Sequence, residues 1–235
     1  MKWVVLRKSG RPPPANVVPM HENTRLEFFC DAVFAIALTL LVIDLKLPAT
    51  AHHVTSADLW RSLGDLLPTF VAFLLSFGTI FITWVNHHEA MRLVVRSSPR
   101  FIYANGFMLL TIVIVPFPTA LLGENVLGNH AAPAVVLYSA TYTVQALGWW
   151  LVTSATLGPR TLVRNEDAVA RMVKMRADAR RAAAFYTACA IAAVWFPLAI
   201  AMIITISWCV WLAASLKMRS ILVAARGSVE RPSNS

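Results

Sequence analysis

Four stretches of this chain, at positions 66–86, 101–122, 131–157 and 182–216, contain no Asp, Glu, Lys or Arg. That pattern constrains the fold more than any other feature, because the roughly 30 Å hydrocarbon core of a bilayer is crossed by about 20 predominantly apolar residues in a helix. A fifth stretch, 28–47, is apolar despite Asp31, Asp44 and Lys46. The last stretch is too long for one crossing: as a single helix its 35 residues would reach about 50 Å, and Trp195-Phe196-Pro197 lies near its middle. Split there, it supplies two spans. The expected fold is all-α, a polytopic membrane protein of six transmembrane helices.

The chain is 57% hydrophobic and 14% charged, with a formal net charge of +9. A basic protein invites a nucleic-acid reading, but the placement of the charges argues otherwise. Counted along the six spans, 19 of the 21 Lys and Arg fall before span one, after span two, between spans four and five or after span six, leaving Lys46 and Arg61 on the other side. This is the positive-inside asymmetry, so both termini are expected to be cytoplasmic, in a multi-pass protein of the cell membrane with no nucleic-acid partner. The basic segment 160–181 is expected to continue partly as a helix beyond the membrane, and such basic loops suit anionic lipid headgroups.

One membrane domain, 25–224, is expected between a cytoplasmic tail at 1–24, which contains Pro12-Pro13-Pro14, and a second at 225–235. The Trp3-Val4-Val5-Leu6 patch is too brief for a signal-peptide core, so no cleaved leader is expected. Cys30, Cys189 and Cys209 lie in apolar segments without a Cys-x-x-Cys pair, which gives no support to a disulfide framework or zinc site. Gly-rich nucleotide loops, Ser-His-Asp spacings, His-Glu-x-x-His and a Thr-Val-Gly-Tyr-Gly filter are all absent, so neither enzyme, cofactor site nor ordinary potassium-channel filter is indicated.

Asp31 places a carboxylate within the first span, where a charge normally faces a protein interior and a partner. Arg25 lies six residues earlier, about 240° around a helix, so the two do not face each other and each needs a partner on another span. Candidates stand at the matching end of span two, in Trp84-Val85-Asn86-His87-His88-Glu89. A hydrogen-bonded structural clamp is the reading taken, with a proton relay as an alternative. A metal site is not expected, because His87 and His88 point about 100° apart and no i, i+4 ligand completes a set.

Span one also carries an apolar stripe, Phe29, Val33, Ile36, Leu40, Ile43 and Leu47, spaced by three and four residues. Periodicity alone reads it as a packing seam, and Thr39 beside it as a hydroxyl bonded back to the preceding turn.

Arg25…Phe29-Cys30-Asp31 closely resembles the Arg-x-x-x-Phe-Ser-Asp signature of the transmembrane protein 175 family of potassium channels. The likeness extends to Val33-Phe34-Ala35-Ile36-Ala37-Leu38-Thr39-Leu40-Leu41, to Trp84-Val85-Asn86-His87-His88 and to Pro116-Phe117-Pro118-Thr119-Ala120-Leu121-Leu122-Gly123-Glu124. A chain with one set of six spans resembles the bacterial branch, whose members assemble as homotetramers. The resemblance implies a channel for K⁺ and other monovalent cations, with a pore lined by the first span and a hydrophobic constriction in place of a carbonyl filter. By position, Ile36, Leu40 and Ile43 would line that pore and Thr39 would contribute to selectivity. Arg25, Cys30, Asp31 and one of His87 or His88 would hold span one against span two, with Cys30 replacing the family's serine by a weaker hydrogen-bonding thiol. The alternative from another class is a proton-coupled secondary transporter using Asp31 and His87 or His88.

Overall fold

A computed structural model describes residues 23–46 and 55–210. The expected cytoplasmic tails, the end of span one at Leu47 and the end of span six fall wholly or mostly outside the described residues. The helices are α1 (Thr24–Leu40), continued by a 3₁₀ turn at Leu41–Asp44, then α2 (Ser56–Asp65), α3 (Leu67–Leu93), α4 (Pro99–Ile114), α5 (Pro116–Asn125), α6 (Ala131–Thr156) and α7 (Glu166–Ala192). An apolar helix, α8 (Pro197–Val210), closes the described chain. Among the described residues there is no β-strand.

Helix starts follow local chemistry. Ser98 accepts a hydrogen bond from the N–H of Phe101 ahead of α4, with Pro99 in the first turn where its missing N–H does no harm. Asn165 accepts from Ala168 to open α7, and Glu166 and Asp167 complement the positive end of the helix dipole. Thr55 and Asp58 form a reciprocal capping box that starts α2. This short helix lies in what the sequence suggested was a connecting loop, and it leaves Leu59, Trp60 and Leu63 exposed.

Among the described residues, three helical segments have the length and hydropathy to cross a membrane: Thr24–Ile43, Leu67–Leu93 and Pro99–Asn125. The third is not one straight rod. Pro116 and Pro118 lack N–H groups, the Val115 N–H turns back to Ile112 O at 3.2 Å, and the span divides into α4 and α5. Further along, α6 is 26 residues long but intersperses Ser, Thr, Tyr and Gln among its apolar positions. Charged and apolar halves make up α7, and the chain reverses at residues 193–196 before Pro197 begins α8. The expected division of the 182–216 stretch is therefore seen at Trp195-Phe196-Pro197.

In the bundle, α1 packs on α3 and α4, α4 and α5 pack on α6, and α7 covers the far side of α6. Close approach is made by small residues. A Cβ on Gly123 of α5 would come within 2.6 Å of the Thr69 Cα on α3, and one on Gly148 of α6 within 3.2 Å of the Met108 Cα on α4. One set of buried hydroxyls is linked across three helices: the Thr119 hydroxyl on α5 lies 2.7 Å from Ser76 Oγ on α3, which lies 3.1 Å from Tyr138 OH on α6.

At the end of the bundle where α3 and α6 finish, two connecting loops clasp each other. Val94 and Val163 form an isolated antiparallel bridge, with Val95 N–H donating to Leu162 O at 2.9 Å and Arg164 N–H to Leu93 O at 3.2 Å. The Asn23 side chain, just ahead of α1, donates to Val94 O at 3.2 Å and ties α1 to the same clasp.

Candidate functional site

Two faces divide α1. Cys30, Phe34, Ala37 and Leu41, at helical spacing, are buried against the bundle. On the opposite side Ile36, Leu40 and Ile43 are 57%, 37% and 53% exposed, and Thr39 is exposed among them. Because α1 lies at one flank of the bundle, none of the other described residues covers this side. The Thr39 hydroxyl donates to Ile36 O at 2.8 Å, the bond back to the preceding turn expected from the sequence. A hydroxyl that spends its proton on the helix keeps its oxygen lone pairs for whatever lies outside.

Where α1 meets α3 there is a polar cluster. Asp31 Oδ1 accepts from the indole N–H of Trp84 at 2.8 Å. One turn earlier on α1, Glu27 Oε1 lies 3.3 Å from His88 Nδ1, a close polar contact without hydrogen-bond alignment. Trp84 and His88 stack along α3 with ring centroids 6.0 Å apart. The cluster thus joins two i, i+4 pairs, Glu27 and Asp31 on α1 and Trp84 and His88 on α3.

His87 turns the other way. It is fully buried, its Nε2 lies 2.9 Å from Asn105 Oδ1 on α4, and its ring sits 5.6 Å from Phe34 and 6.3 Å from Trp149. The Asn105 amide donates to Phe101 O at 2.8 Å, which fixes its oxygen toward the histidine. Adjacent positions on a helix diverge by about 100°, so one histidine serves the core and the other the α1 contact.

Arg25 is exposed on the free side of α1 and stands outside the Asp31 cluster, and Cys30 is buried in the apolar core. Of the residues named from sequence, then, the structure gathers Asp31 and His88 at one contact and places Arg25, Cys30 and His87 elsewhere. Glu27, Trp84 and Asn105 complete the arrangement. The signal for Glu27 was its i+4 spacing to Asp31, and Trp84 stood at i−4 from His88.

Glu27, Asp31 and His88 each offer one ligand atom, all within 4.8 Å of one another. A tetrahedral zinc shell needs ligand atoms about 3.4 Å apart, and one Asp31 oxygen is already engaged by Trp84. The geometry therefore favours an electrostatic tie between α1 and α3 over a preformed metal centre.

Residues 25–116 match the family described as endosomal/lysosomal potassium channel TMEM175. A potassium channel of Chamaesiphon minutus is 42% identical over 127 residues, 54% of this chain and 62% of that relative. A potassium channel of Streptomyces collinus is 37% identical over 139 residues, 57% of this chain and 66% of the relative. In each alignment the chain spans just under two thirds of the relative's length. The crystal structure of a lysosomal potassium-selective channel TMEM175 homologue from Chamaesiphon minutus superposes with a TM-score of 0.68 at 31% identity, covering 81% of this chain and 98% of the other.

Proposed function

The chain belongs to the TMEM175 family of ion channels, and on that footing we propose that it is a potassium-permeable cation channel of the cell membrane, assembled as a homotetramer around four copies of α1. The observation that carries this reading is the uncovered side of α1, where Ile36, Thr39, Leu40 and Ile43 stand free opposite a fully packed face. Four such faces around an axis stack rings of Ile36, Leu40 and Ile43, an apolar constriction that stops conduction by dewetting when narrow. Thr39 adds the only hydroxyl along this lining, with lone pairs toward a passing cation's hydration shell.

The Asp31–Trp84 and Glu27–His88 contacts hold α1 on α3 and act as the clamp. The positive-inside distribution supports a reading with both termini in the cytoplasm and residues 25–224 as the channel domain. The test is reconstitution in liposomes with K⁺ and Na⁺ flux measured separately. Passive flux of either ion down its own electrochemical gradient supports the channel. A requirement for a second ion, or for a proton gradient, overturns it in favour of a coupled carrier.

A further inference from the structure

On the other side of α3 from α1, a cavity of about 690 Å³ opens between α3, α6, α7 and α8. It is within the usual size for a small-molecule site, and its walls are mostly apolar, with Trp149, Phe185, Tyr186 and Trp208 contributing aromatic rings and Thr83 and Asn86 polar edges. Asp178 and Arg181 line it at the level where α7 changes from charged to apolar. Beyond that rim α7 carries Arg171 and Lys174, both exposed and seven and four residues ahead of Asp178, so they continue the cavity side of the helix past the mouth. Over residues 171–181 five basic residues accompany one acidic one, Asp178, which is paired with Arg181.

An apolar chamber whose mouth sits at the membrane boundary, under cations with no acidic partner among the described residues, suits an amphiphile with an anionic head. The geometry points to a binding site for one anionic phospholipid per protomer, its acyl chain in the cavity and its phosphate held by Arg171 and Lys174. Charge complementarity selects the occupant: a zwitterionic lipid offers the same chain but no net charge to these two side chains. The site also bears on α1 at one remove. Thr79, Ile82 and Asn86 of the cavity wall lie about 140–160° around α3 from Trp84, so an occupant braces α3 from behind the face that holds α1.

This inference goes beyond the channel reading, and its test measures no ion flux, so either can fail without the other. Full-length protein purified in detergent is titrated with phosphatidylglycerol or phosphatidylcholine of matched acyl chains, and bound lipid is counted by native mass spectrometry. One phosphatidylglycerol per protomer is expected, with phosphatidylcholine markedly weaker. A basic residue near an anionic headgroup is worth about fivefold, so Arg171→Glu with Lys174→Glu weakens phosphatidylglycerol by about 25-fold or more. Both positions are exposed, and an unchanged circular-dichroism melt confirms that the double variant is folded. Ala182→Trp, which places an indole in the open cavity, abolishes retention of the lipid. Equal binding of the two lipids, undiminished binding to the charge-reversed variant, or undiminished binding to Ala182→Trp overturns the proposal.

Discussion

Asp31 on α1 and Trp84 on α3 share a hydrogen bond of 2.8 Å, which makes an indole the direct partner of the one acidic side chain within the central turns of α1. Interhelical hydrogen bonds in membranes contribute about 0.6 kcal/mol on average and at most about 1.7. Trp84→Phe keeps the aromatic packing and removes the donor, so it should lose stability in that range. Asp31→Asn retains an acceptor oxygen and should lose less. A double-mutant cycle on thermal unfolding in detergent measures the coupling, and strictly additive effects would show that the contact contributes nothing. If both variants unfold normally yet lose a pH-dependent flux, the proton-relay reading replaces the clamp.

The adjacent histidines should separate cleanly. His87→Ala removes a fully buried ring and leaves Asn105 Oδ1 unpaired, a loss of about 2–4 kcal/mol from the cavity and the orphaned acceptor together. His88→Ala removes a partly exposed ring and a contact worth about 1 kcal/mol or less. Melting curves of the two variants in the same detergent provide the check. Equal losses would contradict the division of the pair between core and α1 contact.

Substitutions along α1 test the pore face. In a tetramer one substitution changes four side chains in the constriction, so Ile36→Asn should raise resting cation leak and Thr39→Ala should shift the K⁺/Na⁺ ratio. Leu38 is half-buried toward the bundle and should act on folding or not at all. Flux from liposomes matched for tetramer content decides it. An effect at Leu38→Asn with none at Ile36→Asn would mean that α1 presents a different side to the pore.

Two glycines offer a contrast that involves no pore chemistry. Gly123→Ala would drive its new methyl to 2.6 Å from backbone on α3, which cannot yield as a side chain can, and overpacking of this kind is worth about 1–3 kcal/mol. Gly106 on α4 has nothing within 4 Å of an added Cβ, so Gly106→Ala should stabilise by about 0.5–1 kcal/mol through helix propensity. Thermal melts with opposite signs are expected. A neutral Gly123→Ala would mean that α3 and α5 are farther apart than described.

Orientation is tested by labelling in a background without native cysteines. Cysteines at Ser56 and Asn129 should react with an impermeant reagent applied outside, and one at Asn165 should not. Outside labelling of Asn165 would invert the topology.

How far these features were legible in the sequence varies with how local their causes are. The reversal at Trp195-Phe196-Pro197 and the bond of Thr39 to Ile36 follow from nearby residues and were read directly. So was the need of Asp31 for a partner on another helix, since an acidic residue in an apolar span announces itself. Its partner was harder, because four side chains in the 84–89 segment were chemically eligible and only the rotation of α3 against α1 selects Trp84. The capping pair Thr55 and Asp58 and the prolines at 116 and 118 were local signals that the search for long apolar stretches passed over. The Val94–Val163 bridge has no local signature, as each valine sits in an unremarkable loop and the pairing exists only once the bundle has formed.

That bridge also sets an order of events during synthesis. Residues 94 and 163 are 69 positions apart, and at roughly 5–20 residues per second the later loop is made about 3–14 seconds after the earlier one. Within that interval α4, α5 and α6 are made, while the loop that latches this end of the bundle is not. A ribosome-bound chain stopped before Leu162 should therefore leave the backbone of Val95 open to hydrogen exchange, and lengthening the chain past Arg164 should protect it.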